Sequence, residues 1–105
     1  MTPGLLLAFD DEQPAAQALA QALGVPWALV QRHRFPDGES KLRLPPALPA
    51  DVLLLRGLHH PHDKLVELLI TLPAARELGA RRILLVAPYL AYMRQDMAFS
   101  PGEAV

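Results

Sequence analysis

Three stretches of the chain are apolar without interruption: Leu5-Leu6-Leu7-Ala8-Phe9, Val52-Leu53-Leu54-Leu55 and Ile83-Leu84-Leu85-Val86-Ala87. Continuous short runs of this kind read as parallel strands buried on both faces. The spacing predicts strands over 5–9, 51–58 and 82–87. Between them the period changes to that of a helix. Ala16, Leu19, Ala20 and Leu23 form one apolar stripe, with Asp10 or Asp11 as N-cap, Pro14 in the first turn and Gly24 at the end. Leu65, Leu68, Leu69, Leu72 and Ala75 form a second stripe, over about 62–78, closed by Gly79. Pro73 lies inside that helix and is expected to kink or split it, because its ring removes the hydrogen bond to Leu69.

The segment 28–44 has another pattern. Residues 32–35 and 41–44 flank Pro36-Asp37-Gly38, in which proline presets φ, aspartate bonds its own backbone and glycine accepts φ > 0. Leu42 and Leu44 alternate with Lys41 and Arg43, as in strands with one wet face. This predicts a hairpin that projects from the main sheet. Pro45, Pro46 and Pro49 then make a stiff connection. The order strand, helix, hairpin, strand, helix, strand implies an α/β fold with a doubly wound, mostly parallel sheet.

Composition sets bounds on this picture. The 105 residues fit one domain, 1–105, and 51% hydrophobic content with 20% charged residues is enough for a core without metal or disulfide. The absence of cysteine excludes disulfides and thiolate catalysis and fits a reducing, cytoplasmic setting. A formal net charge of −1 argues against sequence-independent nucleic-acid binding. No apolar run approaches the ~20 residues of a membrane span, and the N-terminus lacks signal-peptide features. Neither nucleic acid nor membrane is expected as a partner.

Two clusters carry candidate chemistry. Arg94-Gln95-Asp96 follows the last strand, with Tyr89 and Tyr92 between, at the sheet edge where open α/β folds bind ligands. Arginine offers a planar fork for phosphate, and glutamine reads a base edge through its donor and acceptor. The plain alternative is a solvated turn. At the hairpin tip, Phe35-Pro36-Asp37-Gly38-Glu39 is either a turn whose phenylalanine tucks into the core or an exposed aromatic that stacks on a purine. A hairpin leaving its own sheet would do the latter across a subunit boundary. His59-His60-Pro61-His62-Asp63 has poor metal-ligand spacing and reads instead as a helix N-terminus with Asp63 favourably placed against the dipole. Asp10-Asp11 suggests a receiver domain, but the strand ends Arg56-Gly57 and Ala87-Pro88 lack its phosphoacceptor and lysine. No P-loop or GxGxxG fingerprint occurs.

Four motifs in order, Arg34-Phe35-Pro36-Asp37-Gly38-Glu39, Glu67-Leu68-Leu69-Ile70, Pro88-Tyr89-Leu90-Ala91-Tyr92-Met93-Arg94-Gln95-Asp96 and Gly102-Glu103-Ala104-Val105, resemble ribose-phosphate pyrophosphokinase. The resemblance covers only the N-terminal of that family's two domains. It implies a phosphoribosyltransferase-like fold, and transfer of the β,γ-diphosphoryl group of ATP to the 1-hydroxyl of ribose 5-phosphate. The products would be AMP and 5-phosphoribosyl 1-pyrophosphate, a precursor in nucleotide biosynthesis. By the same resemblance Arg94 and Gln95 contact ATP, and Phe35, Asp37 and Glu39 cover the adenine from a neighbouring subunit of a homo-oligomer. Mg2+ is expected for the parent enzyme, with its ligands, the catalytic loop and the ribose 5-phosphate loop in a second, catalytic half that this chain does not contain. The fragment alone is therefore expected to be inactive.

Three departures bear on that expectation. Met97 and Ala98 stand where the family usually carries basic residues, Pro73 interrupts a helix that usually runs through, and the short loop Phe99-Ser100-Pro101 is similar to archaeal-type or divergent paralogous members. The alternatives are a catalytically silent paralogue that assembles with or regulates the enzyme, and a stand-alone nucleotide-binding module.

Overall fold

The structure is a computed structural model, and it describes residues 2–104 other than Tyr92, Gln95 and Asp96. Strand β1 (Leu5–Phe9) runs through a short 3-10 turn (Asp10–Glu12) into α1 (Gln13–Leu23). Strands β2 (Trp27–Arg34) and β3 (Ser40–Arg43) form the hairpin; β4 (Asp51–Leu55), α2 (Pro61–Glu77) and β5 (Arg82–Val86) follow. The five strands lie in the order β3-β2-β1-β4-β5, with only β3 antiparallel to its neighbour. The expected doubly wound α/β sheet is what the chain forms.

Alternation along the apolar runs sorts side chains into two layers. Leu6, Ala8, Leu53 and Leu55 cluster with Ala16 and Ala20 of α1. Leu7, Phe9, Val30, Val52 and Leu54 cluster with Leu68 and Ala75 of α2. Continuous apolar sequence was therefore needed in β1 and β4, because each has a helix over each face.

β5 departs from this rule. It is the edge strand, and the consecutive residues Leu84 and Leu85, on opposite faces, are 53% and 41% exposed. No element among the described residues covers them. Asp51 and Arg82 hold the start of this pairing through two hydrogen bonds of 2.7 and 2.8 Å.

α2 is not split at Pro73, and its inner face is not the predicted stripe. It continues through Pro73 to Glu77 as one helix. Pro73 and Leu69 both lie on its exposed side, where water can serve a carbonyl left without its N–H partner. The buried positions are Glu67, Leu68, Thr71 and Ala75, whereas Leu69 and Leu72 face outward. The helix is apolar on both sides, so periodicity alone could not choose its inner face.

Gly24 adopts the left-handed conformation at the end of α1, as expected. Gly79 does so after α2 with φ 120°, and a Cβ there would lie 2.7 Å from the Leu48 carbonyl oxygen.

Candidate functional site

The hairpin begins inside the sheet and then leaves it. β2 pairs with β1 only as far as Phe9 opposite Val30; from Gln31 to Arg34 its ladder is with β3. The tip is closed by backbone bonds from Phe35 N–H to the Glu39 carbonyl (2.8 Å) and from Gly38 N–H to the Phe35 carbonyl (2.9 Å). Asp37 Oδ1 accepts the Glu39 N–H at 3.0 Å, the local bond expected of an aspartate in a turn. Phe35 does not enter the core. It is 39% exposed and meets His33 edge to face, with ring centroids 4.6 Å apart.

The overhanging part of β2 is tied to α2 by charge. Val30, Arg32 and Arg34 share one face of the strand, the face that α2 covers. Arg32 donates to Glu67 at 3.0 Å and Arg34 to Asp63 at 3.2 Å. Two strand residues advance about 6.7 Å and four helical residues about 6 Å, so the two rungs match in pitch. Because α2 runs against β2, the higher-numbered arginine meets the lower-numbered acid.

A second arginine completes the network. Arg56, just past β4, is fully buried; it donates to Asp11 (2.5 Å), Glu12 (3.0 Å) and Glu67 (2.9 Å). Its guanidinium carbon lies 4.3 Å from the centroid of the Phe9 ring. Glu12 also receives the Gly57 N–H. Burial pushes the Asp11 carboxyl upward, but the Arg56 hydrogen bond and the charges of Arg56 and Arg32 outweigh it and hold it below the ordinary aspartate value. Burial likewise opposes the charged forms of Arg32 and Arg56, yet bonds to Glu67, Asp10 and Asp11 outweigh it and raise both above the ordinary arginine value. The expected capping role of Asp10 or Asp11 is not seen: the 3-10 turn and α1 have no side-chain cap, and both aspartates face arginines instead.

This network fills the sheet's topological switch point, between the carboxyl ends of β1 and β4, where open α/β folds most often receive ligands. The open cleft lies one strand over, past β4 and β5. It has a volume of about 1000 Å³ and is lined by His59, His60, Pro61, Tyr89 and Arg94 among others. The His59 and Tyr89 rings stack at 4.2 Å, and the Leu58 N–H donates to the Tyr89 carbonyl. His60 takes a left-handed φ of 49° at the start of α2. The cleft offers an aromatic floor and an exposed arginine, suited to a planar ring and an anion.

Arg94 lines this cleft, while Gln95 lies outside the described residues. Phe35, Asp37 and Glu39 do not line this cleft. Sequence reasoning missed the Arg32–Arg56–Glu67 network. Its one signal was an arginine directly after four core residues of β4, a placement rarely seen without buried partners.

Comparison with known proteins bears on this arrangement. Residues 5–105 match the family model described as the N-terminal domain of ribose phosphate pyrophosphokinase. The chain belongs to that family. A ribose-phosphate pyrophosphokinase of Methanopyrus kandleri is 42% identical over 102 residues, which is 96% of this chain and 35% of the relative. The namesake from Saccharolobus solfataricus is 41% identical over 85% of this chain and 31% of its own length. That of Halobacterium salinarum is 39% identical over 96% and 36%. The chain therefore spans about a third of the length of these ribose-phosphate pyrophosphokinases.

Proposed function

We propose that this chain is the ATP-contacting, oligomer-forming N-terminal domain of a ribose-phosphate diphosphokinase. The parent protein transfers the diphosphoryl group of ATP to ribose 5-phosphate, releasing AMP. Arg94 and Gln95 contact the nucleotide at the end of β5, and Phe35, Asp37 and Glu39 of a second copy close over its adenine. One observation carries the reading: an exposed aromatic tip stands on a projecting hairpin that does not line its own chain's cleft.

The exposed Leu84 and Leu85 on the two faces of β5 support a larger parent, since an edge this apolar calls for cover. Among the described residues no three His, Cys, Asp or Glu side chains are grouped to hold a metal ion. In this proposal the Mg2+ ligands of the parent reaction belong to the catalytic half, and this domain's share is binding and orientation. The domain alone is then inactive. No helix among the described residues is long and apolar enough to cross a membrane; a cytoplasmic location belongs to the same proposal.

Calorimetry on the full-length protein tests the reading. Arg94→Ala removes one or two charge-assisted contacts of about 1.5–3 kcal/mol each and should weaken ATP binding accordingly. Unchanged ATP affinity would overturn the assignment. A second reading, a silent relative that assembles with the enzyme, draws on Met97, which is 58% exposed where the family resemblance leads one to expect a basic residue. Tight ATP binding without turnover by the full-length protein would favour it.

A further inference from the structure

We infer that Glu67 is a positioning residue that sets the hairpin against the rest of the domain and couples it to the wall of the cleft. The inference rests on the reading above, in which the hairpin tip covers a nucleotide.

β2 loses its β1 neighbour after Val30, so the four residues leading to Phe35 have strand pairing on one side only. Their face toward α2 carries Arg32 and Arg34 rather than apolar side chains, so on β2 the hold on α2 is made by two ion pairs, while Leu42 of β3, opposite Arg32, packs against the core beside them. The outer pair, Arg34 with Asp63, has side chains 61% and 72% exposed and is screened by water. The inner pair is shielded, with Arg32 at 27% and Glu67 at 8%. Arg32 also bonds to Asp10, but that carboxylate is 61% exposed, so the shielded polar hold on β2 is the one at Glu67.

Glu67 does not serve the hairpin alone. Its Oε2 takes Arg32 and its Oε1 takes the buried Arg56. Arg56 is also bonded through its backbone N–H to the Val86 carbonyl of β5, and two residues on Leu58 is bonded to Tyr89. A single carboxylate thus links the base of the hairpin to the β4–β5 ends from which the cleft wall rises. Losing one of its oxygens as an acceptor would let the hairpin pivot while the core stays packed.

The test uses Glu67→Gln in the full-length protein, with steady-state kinetics and amide hydrogen exchange. The amide keeps the shape but can accept from only one of the two arginines. The expected result is a KM for ATP raised about tenfold with kcat within about twofold, the interaction lost being one of binding rather than chemistry. The KM for ribose 5-phosphate stays unchanged, and exchange at the Phe35 and Gly38 amides becomes faster. Parallel rises in both KM values, or unchanged hairpin exchange, would overturn the inference and leave Glu67 a structural residue. Phe35→Ala separates the two proposals: if it leaves the KM for ATP unchanged, the covering role of the hairpin fails, whatever Glu67 does to exchange. Should Glu67→Gln not fold, Arg32→Lys serves instead, since one ammonium cannot span Asp10 and Glu67 as the guanidinium fork does; the same kinetic and exchange outcomes decide.

Discussion

Arg56 and Glu67 form an ion pair of 2.9 Å in which the arginine has no solvent exposure at all. Such a pair adds little over a well-packed apolar substitute, but losing one member strands the other. Arg56→Met leaves Glu67, Glu12 and Asp11 facing one another with only Arg32 to offset them. The expected loss is about 3 kcal/mol or more of unfolding free energy, read from denaturant midpoints. A loss under about 1 kcal/mol would mean that water enters the network and screens it.

Acid should weaken the domain through Asp11. Its carboxyl titrates below the ordinary aspartate value in the folded chain and near that value, about 3.9, when unfolded. The stabilisation is thus fully present above about pH 4 and is lost as pH falls through the folded pKa. Asp11→Asn should be less stable than the parent at neutral pH and show a shallower decline below about pH 4. Unfolding curves that stay parallel over that range would contradict the pairing with Arg56. Asp51, lowered by its hydrogen bond to Arg82, adds a slope of the same sign that both proteins keep.

Thr71 is fully buried on the inner face of α2, and its Oγ1 has no hydrogen-bond partner among the described residues. Valine has the same shape without the hydroxyl. Thr71→Val is therefore expected to raise stability by about 1 kcal/mol, since an unsatisfied buried hydroxyl costs about that much or more. A destabilised variant in thermal melts would show that the hydroxyl is satisfied in solution.

Gly79 combines a left-handed φ of 120° with a Leu48 carbonyl oxygen 2.7 Å from where a Cβ would stand. The contact joins the end of α2 to the proline-rich connection before β4, where the Leu48 N–H also donates to the Leu78 carbonyl. Gly79→Ala should cost about 2–3 kcal/mol from strain and clash together. Gly24, also left-handed at φ 68° but with open space around its Cβ, should tolerate alanine at a smaller cost. Equal losses at the two sites, measured by denaturation, would remove the steric part of the argument.

Much of this molecule was legible before its structure. The apolar runs of β1 and β4, the stripe of α1 and the Pro36-Asp37-Gly38 turn each report a local requirement: burial on two faces, on one face, or a backbone that must reverse. Those requirements, taken in order, imply the doubly wound sheet and its projecting hairpin, and Arg94 falls at a strand end for the same reason. What the pattern could not say was which strand lies at the edge, since β5 is as apolar as β1 and differs only in having one neighbour. Nor could it choose the inner face of α2, or show that Pro73 would be carried within one helix.

The charge network belonged wholly to the tertiary structure. Asp10 and Asp11 read locally as helix-cap candidates, and Arg32 as one residue of the segment flanking the turn; Arg56 gave only the hint of a charge set against a core strand. They come together because parallel strands bring their carboxyl ends to one edge and α2 crosses that edge against the strand direction. Partners 11 to 45 residues apart leave no periodicity for a sequence to display. Amino-acid order decided the elements and the place of the cleft, while long-range packing decided which charges meet and what holds the hairpin.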